Sequence, residues 1–274
     1  SFCTLLVKLH TRAAMPTLAV SKNFLFKLLE KPEYTQEEFD NLCFEFGVEL
    51  DEVTSQREIY RREHAQMLKD PAQKKALEAK LKTINDDELY KIDTPANRYD
   101  LLSAEGMAIA LRVFLGTLPV PKYTVKPAQL SMTVKKTTRG VRDFVICAVL
   151  RDITFTPEAY NSFIEYQEKL HGGLARKRTL CSVGTHDLDK VKGPHFTYEC
   201  RPKAEIKFVP LNEGATGRVL DCAGDGLAEF YKPSKEKVHA VAKYVPLISQ
   251  LDTYPVILDA TGQIMSLPPI INSD

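Results

Sequence analysis

The chain has 274 residues, of which 44% are hydrophobic and 27% charged, so it is long enough for two ordinary domains with buried cores. Its formal charge of +1 excludes a general electrostatic attraction to RNA, and any nucleic-acid contact therefore requires a local cluster of Lys and Arg. Six cysteines occur without a Cys-x-x-Cys pair, which favours reduced thiols in a cytosol. No apolar run approaches the ~20 residues of a membrane-spanning helix.

The first part of the chain carries the signals of a small α+β module. Residues 17–20 favour a strand, and Ser21 is expected to cap a helix that follows it. Thr35 and Glu38 have the spacing of a capping box, which predicts a second helix that ends at Gly47. The capping signals therefore predict two short helices after the first strand.

A charged segment interrupts this module. Residues 55–87 are dense in charge and poor in apolar positions, which predicts an exposed helical insertion, with a solvated spacer as the favoured interpretation. A strand is expected over residues 90–93 and an apolar helix over residues 101–115, closed by Gly116.

Three prolines mark a linker at residues 119–129. A second module is expected to begin after it. Its predicted elements are strands over residues 144–149, 180–183 and 205–211, a helix from Thr156-Pro157, and a mostly helical segment over residues 216–247.

The end of the chain predicts a β-hairpin. Residues 256–258 and 263–267 are short apolar runs on either side of Asp259-Ala260-Thr261-Gly262, an order that suits a tight turn opened by Asp and closed by Gly. Considered without any relative, Asp259 is best interpreted as a turn-opening residue.

Four segments occur here in the order in which one protein family has them. They are residues 45–52 (EFGVELDE), 92–106 (IDTPANRYDLLSAEG), 183–189 (VGTHDLD) and 254–274 (YPVILDATGQIMSLPPIINSD). Through them the chain resembles the β subunit of phenylalanyl-tRNA synthetase of the archaeal and eukaryotic type, and four ordered blocks are more specific than one short motif. The resemblance implies an α+β fold class: a small N-terminal α+β module over residues 15–118, then a larger mixed α/β editing module over residues 130–274.

The same resemblance guides the interpretation of both ends. Residues 1–14 contain no acidic side chain and precede the position where the family's fold begins, so they are interpreted as a leader or an expression remnant. Family members continue past the position of Asp274, which implies that the editing module is truncated at its C-terminal end.

The resemblance assigns the hairpin turn to a pocket that recognises and releases mischarged tyrosine. It implies a catalytic role for Asp259, and Thr261 lies two residues on, on the same side of an extended chain. A synthetic pocket shaped for phenylalanine rejects a ring with one added hydroxyl only about 10²-fold, so a second site is needed. Because the turn is a hairpin end, Asp259→Ala is expected to abolish hydrolysis and to leave the fold intact.

Thr185-His186-Asp187-Leu188-Asp189 contains the residue types of an acid–base or metal cluster. No second histidine stands at ligand spacing, so no metal site is predicted. A loop whose polar groups cap the next segment is the structural alternative. The resemblance implies a pocket wall, with Thr185 and Asp187 binding substrate and a neutral His186 positioning or deprotonating water for ester hydrolysis.

Two further groups complete the predicted site. Pro268-Pro269 is rigid and has no backbone donor at either proline, and with Asn272 it is expected to shape the pocket floor. The triplet Arg176-Lys177-Arg178 is expected either to hold tRNA phosphates or to form a solvated helix end, where cations are favourable.

The resemblance thus implies a cytoplasmic aminoacyl-tRNA synthetase subunit, a ligase component of protein biosynthesis that edits tyrosine on the phenylalanine tRNA. It implies an α subunit as partner in an α2β2 heterotetramer. ATP and Mg²⁺ are expected at the aminoacylation site of that α subunit, and no cofactor is expected in this segment. The alternative is a non-catalytic tRNA-binding or subunit-assembly module, which a deacylation assay distinguishes.

Overall fold

The computed structural model describes residues 16–31, 33–66, 71–211, 213–233 and 239–274. These residues form two compact units. The first contains the described residues up to Tyr123 together with Phe155–Lys169, and the second contains Thr124–Thr154 and Leu170–Asp274. The division falls inside the predicted linker, but Phe155–Lys169 groups with the first unit and not with the second module. Residues 1–14, interpreted as a leader, lie outside the described residues.

The first unit is a three-stranded antiparallel sheet covered by helices. Its elements are β1 (Thr17–Ser21), α1 (Lys22–Leu29), α2 (Gln36–Phe46), β2 (Glu49–Ser55), α3 (Gln56–Glu63), α4 (Pro71–Leu81), β3 (Glu88–Asp93) and α5 (Ala104–Phe114), with α6 (Pro157–Gly172) joining it through Lys169. The strands follow the order β1-β3-β2. Its core includes Phe39, Tyr90 and Met107, each fully buried.

The predicted caps set the ends of the early helices. The Ser21 side chain accepts a hydrogen bond from Phe24 N at the start of α1. The capping box is confirmed, because Thr35 Oγ1 accepts from Glu38 N and the Glu38 carboxylate accepts from Thr35 N. Gly47 ends α2 at φ 94°, a conformation that glycine adopts at little steric cost.

The described part of the charged insertion is helical and is attached to the first unit. Leu77 and Leu81 of α4 are buried, 2% and 6% exposed. The Arg57 guanidinium donates to the carbonyls of Leu81 and Ile84 and pairs with Asp86 at 2.6 Å. The favoured interpretation as a solvated spacer is therefore wrong for this part.

The second unit contains a five-stranded sheet. Its elements are β4 (Ser131–Val134), β5 (His195–Pro202), β6 (Lys207–Phe208), β7 (Leu220–Asp221), α7 (Gly226–Phe230), β8 (Thr253–Leu258), β9 (Ile264–Leu267) and β10 (Ile271–Asn272). The strand order is β10-β9-β8-β5-β4, in which only β4 and β5 run parallel. The predicted C-terminal hairpin is confirmed as β8 and β9, and the mixed α/β architecture is as expected.

Two strands predicted from apolar runs are not present. Residues 144–149 have no regular structure, and Phe144 and Ile146 are 93% and 98% exposed. Residues 180–183 are likewise irregular, with Leu180 61% exposed. Neither run pairs with a strand among the described residues, and an apolar run becomes a strand only where another strand completes its hydrogen bonds.

Two further predictions need correction. The strand expected over residues 205–211 is reduced to β6, which pairs with β7. The segment over residues 216–247 is not mostly helical: it contains α7 and a 3-10 helix, Ala240–Leu247, with Pro246 inside it. Residues 234–238 of this segment lie outside the described residues. Glycine and proline interrupt the helical pattern there, and both disfavour helix interiors.

Candidate functional site

The Asp259 carboxylate organises the turn between β8 and β9. Its Oδ1 accepts hydrogen bonds from Thr261 N at 2.9 Å, from Thr261 Oγ1 at 2.7 Å and from Gln263 N at 3.0 Å. Burial by itself raises the pKa of Asp259, but the hydrogen bonds from Thr261 and Gln263 outweigh it and hold that pKa below its usual value. The group is therefore an ionised carboxylate at neutral pH.

This arrangement changes the expectation for Asp259→Ala. Asp259 is 7% exposed, so the residue is not outside the core as the sequence suggested. Its removal leaves the Thr261 and Gln263 donors without their acceptor, so we now expect Asp259→Ala to lower stability. All three of these bonds fall on Oδ1, and a hydrogen bond from the Lys192 backbone also helps to lower the pKa of the carboxylate.

A loop over residues 184–192 connects this turn to β10. Near one end of the loop, Asn272 Nδ2 donates to Thr185 O at 3.1 Å. At the other end, Ala260 N donates to Lys192 O at 2.8 Å. The loop that was predicted to form a wall is therefore fixed at both ends to the strands and turn that carry the other predicted residues.

Asp187 stabilises a turn inside this loop. Its Oδ1 accepts from Asp189 N at 3.0 Å, and its backbone carbonyl accepts from Lys190 N at 3.1 Å. Asp187 therefore has the local structural role that the alternative interpretation gave to the polar residues of this loop.

His186 lies next to Asn272 and is half-buried. Burial lowers the pKa of its imidazole, so the ring is neutral at pH 7 and one ring nitrogen can accept a proton. Gly184 is the reason that these groups are close together. A β-carbon at Gly184 would lie 3.2 Å from Asn272 Oδ1 and 3.9 Å from His186 Nε2. The sequence reasoning did not single out Gly184.

The strand register places the two ends of the site relative to each other. Asn272 pairs with Ser266, Ser266 pairs with Ile257, and Asp259 lies two residues beyond Ile257. Val256 points into the core. Because side chains alternate along a strand, Ile257 and the residues paired with it face the opposite side of the sheet. Strand spacings of about 3.3 Å per residue and 4.8 Å per strand put the Cα atoms of Asp259 and Asn272 roughly 12 Å apart. Asp259 and Asn272 are therefore too far apart to touch each other.

A buried histidine supports the loop from α6. His171 is 1% exposed, and its Nε2 accepts a hydrogen bond from Val183 N at 2.9 Å. This bond fixes the backbone immediately before Gly184. No local pattern predicts the contact, because the two residues meet only through the fold.

The Arg178 side chain is hydrogen-bonded to the backbone of the proline segment. The bond between Pro268 and Pro269 is cis. Arg178 Nη1 donates to Pro269 O and Ile270 O, each at 3.1 Å, and the guanidinium lies 4.2 Å from the Tyr244 ring centroid. The Arg178 side chain therefore contacts protein groups through Nη1 and through the face of its guanidinium.

The other two members of the basic triplet are exposed. Arg176, Lys177 and Arg178 have φ values of 49°, 55° and 65°, so three successive residues adopt the left-handed conformation that costs L-residues energy. The Arg178 anchor holds this turn in place, and the side chains of Arg176 and Lys177 extend into solvent.

A cavity of about 380 Å³ lies beside the Asp259 turn. Gly262 and Gln263 of that turn line it, and its other lining residues include two cations and two carboxylates. These four are Arg201, Lys207, Glu205 and Asp274. None of the four was predicted as a site residue, because a single charged residue carries no sequence signature.

No group of three or more His, Cys, Asp or Glu side chains in the described part of the chain is arranged to hold a metal ion. Among the same residues, no helix has the length and hydropathy needed to cross a membrane.

Comparison with known proteins identifies both units. Residues 15–117 match the family model described as the B1 domain of the Phe-tRNA synthetase beta subunit. The cytoplasmic phenylalanine–tRNA ligase beta subunit of Arabidopsis thaliana is 43% identical over 264 residues, which are 94% of this chain and 40% of that protein. The beta subunit of Homo sapiens is 43% identical over 263 residues, 95% of this chain and 41% of that protein.

A solved structure agrees with these relatives. A crystal structure of an N-terminal fragment of the phenylalanyl-tRNA synthetase beta subunit from Pyrococcus horikoshii matches with a TM-score of 0.73 at 27% identity, covering 94% of this chain and 62% of that fragment. The chain spans about two fifths of the length of the relatives named above. By sequence and by fold, the chain belongs with the N-terminal region of the phenylalanine–tRNA ligase β subunits.

Proposed function

We propose that the second unit hydrolyses tyrosine that has been attached in error to the phenylalanine tRNA. One observation carries this proposal: a single loop bears His186 and is hydrogen-bonded at its two ends to Asn272 on β10 and to the Asp259 turn. A candidate general base and a candidate recognition carboxylate therefore border one face of the sheet, at positions fixed by one side-chain and one main-chain hydrogen bond.

Recognition rests on the tyrosine hydroxyl. Asp259 Oδ2 and the Thr261 hydroxyl oxygen are acceptors that pair with a phenol O–H and that phenylalanine leaves without a partner. A buried polar group left unpaired costs about 1–3 kcal/mol. The editing site thus prefers the substrate that the synthetic site rejects too weakly.

Hydrolysis rests on His186. The neutral imidazole accepts a proton from a water molecule while the water oxygen attacks the carbonyl carbon of the tyrosyl ester. The bond between that carbon and the ribose oxygen breaks, the ribose oxygen takes up the proton, and tyrosine and tRNA are released. Asn272 and the backbone near Thr185 position the loop, and no residue forms a covalent intermediate.

The whole protein is proposed to act as the family does. Its partners are then the phenylalanine tRNA and an α subunit in an α2β2 heterotetramer, with ATP and Mg²⁺ used at the aminoacylation site of the α subunit. The relative from Arabidopsis thaliana is named cytoplasmic, which supports a place in cytoplasmic protein biosynthesis.

A non-catalytic tRNA-binding or assembly module is the second candidate. It is favoured by the commitment of Asp259 Oδ1 to the turn and of Arg178 to backbone carbonyls. In that case the hairpin and its loop serve only the fold.

Deacylation separates the two candidates. Phenylalanine tRNA charged with tyrosine is incubated with the chain, and release of tyrosine is followed over time. We expect release with wild type and its loss with His186→Ala, while His195→Asn, an exposed histidine at the start of β5, serves as the matched control. Equal release with wild type and His186→Ala would refute the catalytic assignment, and no release by wild type would favour the binding module.

A further inference from the structure

A second basic run lies close to the triplet Arg176-Lys177-Arg178, although the sequence analysis gave it no role. Lys135, Lys136 and Arg139 are exposed in a short turn after β4. Arg142 follows in the same run and is half-buried. The two basic runs are far apart in the sequence and show no shared pattern.

One hydrogen bond joins the two runs. Arg142 Nη1 donates to the backbone carbonyl of Arg178 at 3.4 Å. The Arg178 carbonyl belongs to the left-handed turn that carries Arg176 and Lys177. The two basic runs are therefore adjacent in the second unit.

The backbone of the 135–142 turn is rigid. Lys135 N donates to Tyr198 O at 2.9 Å, and the Tyr198 hydroxyl donates to Arg142 O at 2.7 Å. Cys200 N donates to Thr137 Oγ1 at 3.0 Å. The turn is thus attached to β5 at three points, which lowers the entropic cost of presenting its cations to a ligand.

The exposed cations have no internal partner. Within residues 16–31, 33–66, 71–211, 213–233 and 239–274, no hydrogen bond or ion pair involves the side chains of Lys135, Lys136, Arg139, Arg176 or Lys177. Asp143 is the one carboxylate in the 135–143 segment, and its Oδ1 accepts from Gly140 N at 2.7 Å. The local excess of positive charge contrasts with the formal charge of +1 for the whole chain.

We infer that these five cations, here called the basic surface, bind the phosphate backbone of RNA. Three of the five are lysines, a residue that is depleted at protein–protein interfaces but pairs readily with phosphate as a point charge. The inference rests on the proposed function, because the substrate there is a charged tRNA. The basic surface holds the tRNA, and the loop with His186 acts on the ester.

Salt-dependent binding of uncharged phenylalanine tRNA tests the inference. The variant Lys135→Gln/Lys136→Gln/Arg139→Gln is compared with wild type by titration of the full chain with tRNA at several salt concentrations. Each lost phosphate contact lowers the slope of log K against log salt by roughly 0.7–0.9, so a total fall of about two to three units is expected, with weaker binding at every salt concentration. The matched control is Lys75→Gln/Lys80→Gln/Lys82→Gln, which removes the same charge from exposed positions in and after α4.

Each outcome decides the matter. An unchanged slope and affinity in the 135–139 variant, or an equal change in the control variant, overturns the inference. Wild-type binding to polyglutamate that is as tight as binding to tRNA, and is lost in the same variant, assigns the surface to an acidic protein and also overturns it. Circular dichroism melting of each variant excludes unfolding as the cause of lost binding.

The same data separate this inference from the proposed function. Uncharged tRNA carries no ester, so its binding does not depend on the chemistry at His186. A wild type that binds tRNA with a steep salt slope but releases no tyrosine refutes the editing proposal and supports the basic surface. A variant with an unchanged salt slope, in a chain that does release tyrosine, refutes the basic surface and leaves the editing proposal in place.

Discussion

At the scale of single residues, the proposed function gives Asp259 two roles that a sequence motif cannot separate. Hydrogen bonds to its Oδ1 hold the hairpin turn, and its carboxylate is proposed to recognise a substrate hydroxyl. His186 differs, because its half-buried ring takes part in no hydrogen bond to another residue of the described chain. Measuring the stability of an Asp259 variant and of a His186 variant should therefore distinguish the two residues.

Asp259→Ala should lose both stability and deacylation. Removing the buried carboxylate leaves the part-buried hydrogen bonds from Thr261 and Gln263 without an acceptor, which costs about 1–3 kcal/mol of unfolding free energy. Urea unfolding and tyrosine release measure the two effects. Asp252→Ala, an exposed aspartate just before β8, is the control. A variant that loses deacylation with wild-type stability would contradict the double role.

The pH dependence of this effect has a definite sign. Because the pKa of Asp259 in the folded state lies below its usual value of 3.8, the ionised carboxylate stabilises the fold above that pH. The contribution is lost as the pH falls through the folded-state value. Acid unfolding of Asp259→Asn should therefore show a smaller loss of stability in this range than wild type does.

His186 should control the pH profile of deacylation. Burial lowers its pKa below the usual value of 6.5, so the base stays neutral and the rate should remain constant as the pH falls through 6.5, then decline. His186→Ala should lower the rate about 10²–10⁴-fold. Single-turnover rates between pH 5 and 8, a range chosen to bracket the usual pKa of histidine, test this. A decline that begins above the usual value would rule out this histidine as the base.

At the scale of elements, the loop over residues 184–192 depends on a glycine for its approach to β10. Gly184 has no side chain to separate Asn272 from His186. The hydrogen bond from Val183 N to His171 fixes the backbone just before it. The geometry of the candidate site therefore rests on contacts between elements and not on the loop's own sequence.

Gly184→Val should impair deacylation with little effect on stability. A β-carbon 3.2 Å from Asn272 Oδ1 forces that side chain to move, and a misplacement of about 1 Å costs up to 10²-fold in rate. Gly184→Ala should have a smaller effect of the same sign. Gly172→Ala is the matched control, since no atom lies within 4 Å of its added β-carbon. Wild-type rates in Gly184→Val would exclude this part of the loop from the site.

The elements also show which sequence signals are sufficient to predict secondary structure. Thr35 and Glu38 form their capping box because both partners lie within one helical turn. Residues 144–149 have an apolar pattern that predicts a strand, but they form none. A strand needs a neighbouring strand, which the local sequence does not supply. Signals completed within a few residues were reliable, and those that needed a distant partner were not.

At the scale of the whole molecule, the chain has two units with separate cores, and every predicted site residue lies in the second. The first unit matches the B1 domain family over residues 15–117. The division assigns the candidate chemistry to one unit, and the charge of +1 for the whole chain conceals the basic surface on that same unit.

Deacylation should survive removal of transition metals. In the part of the chain that the structure describes, no cluster of His, Cys, Asp or Glu is suited to a metal ion, and hydrolysis is assigned to a neutral imidazole. Tyrosine release is measured after treatment with a zinc-selective chelator while Mg²⁺ is retained for the tRNA. If activity is lost and then restored by adding zinc, the result would indicate that the metal ligands are His186, Asp187 and Asp189.

The amino-acid sequence was enough to predict the early helices, the C-terminal hairpin, the residue types of the candidate site and the family. These depend on capping spacings, on alternation within a few residues and on ordered motifs, all of which are local. The tertiary structure alone decided that Asp259 is buried, that Arg178 bonds to the carbonyls after Pro268, and that the loop with His186 reaches both Asn272 and the Asp259 turn. Each of these facts is a contact between residues distant in the chain, and the free energy of such a contact depends on which surfaces the fold brings together.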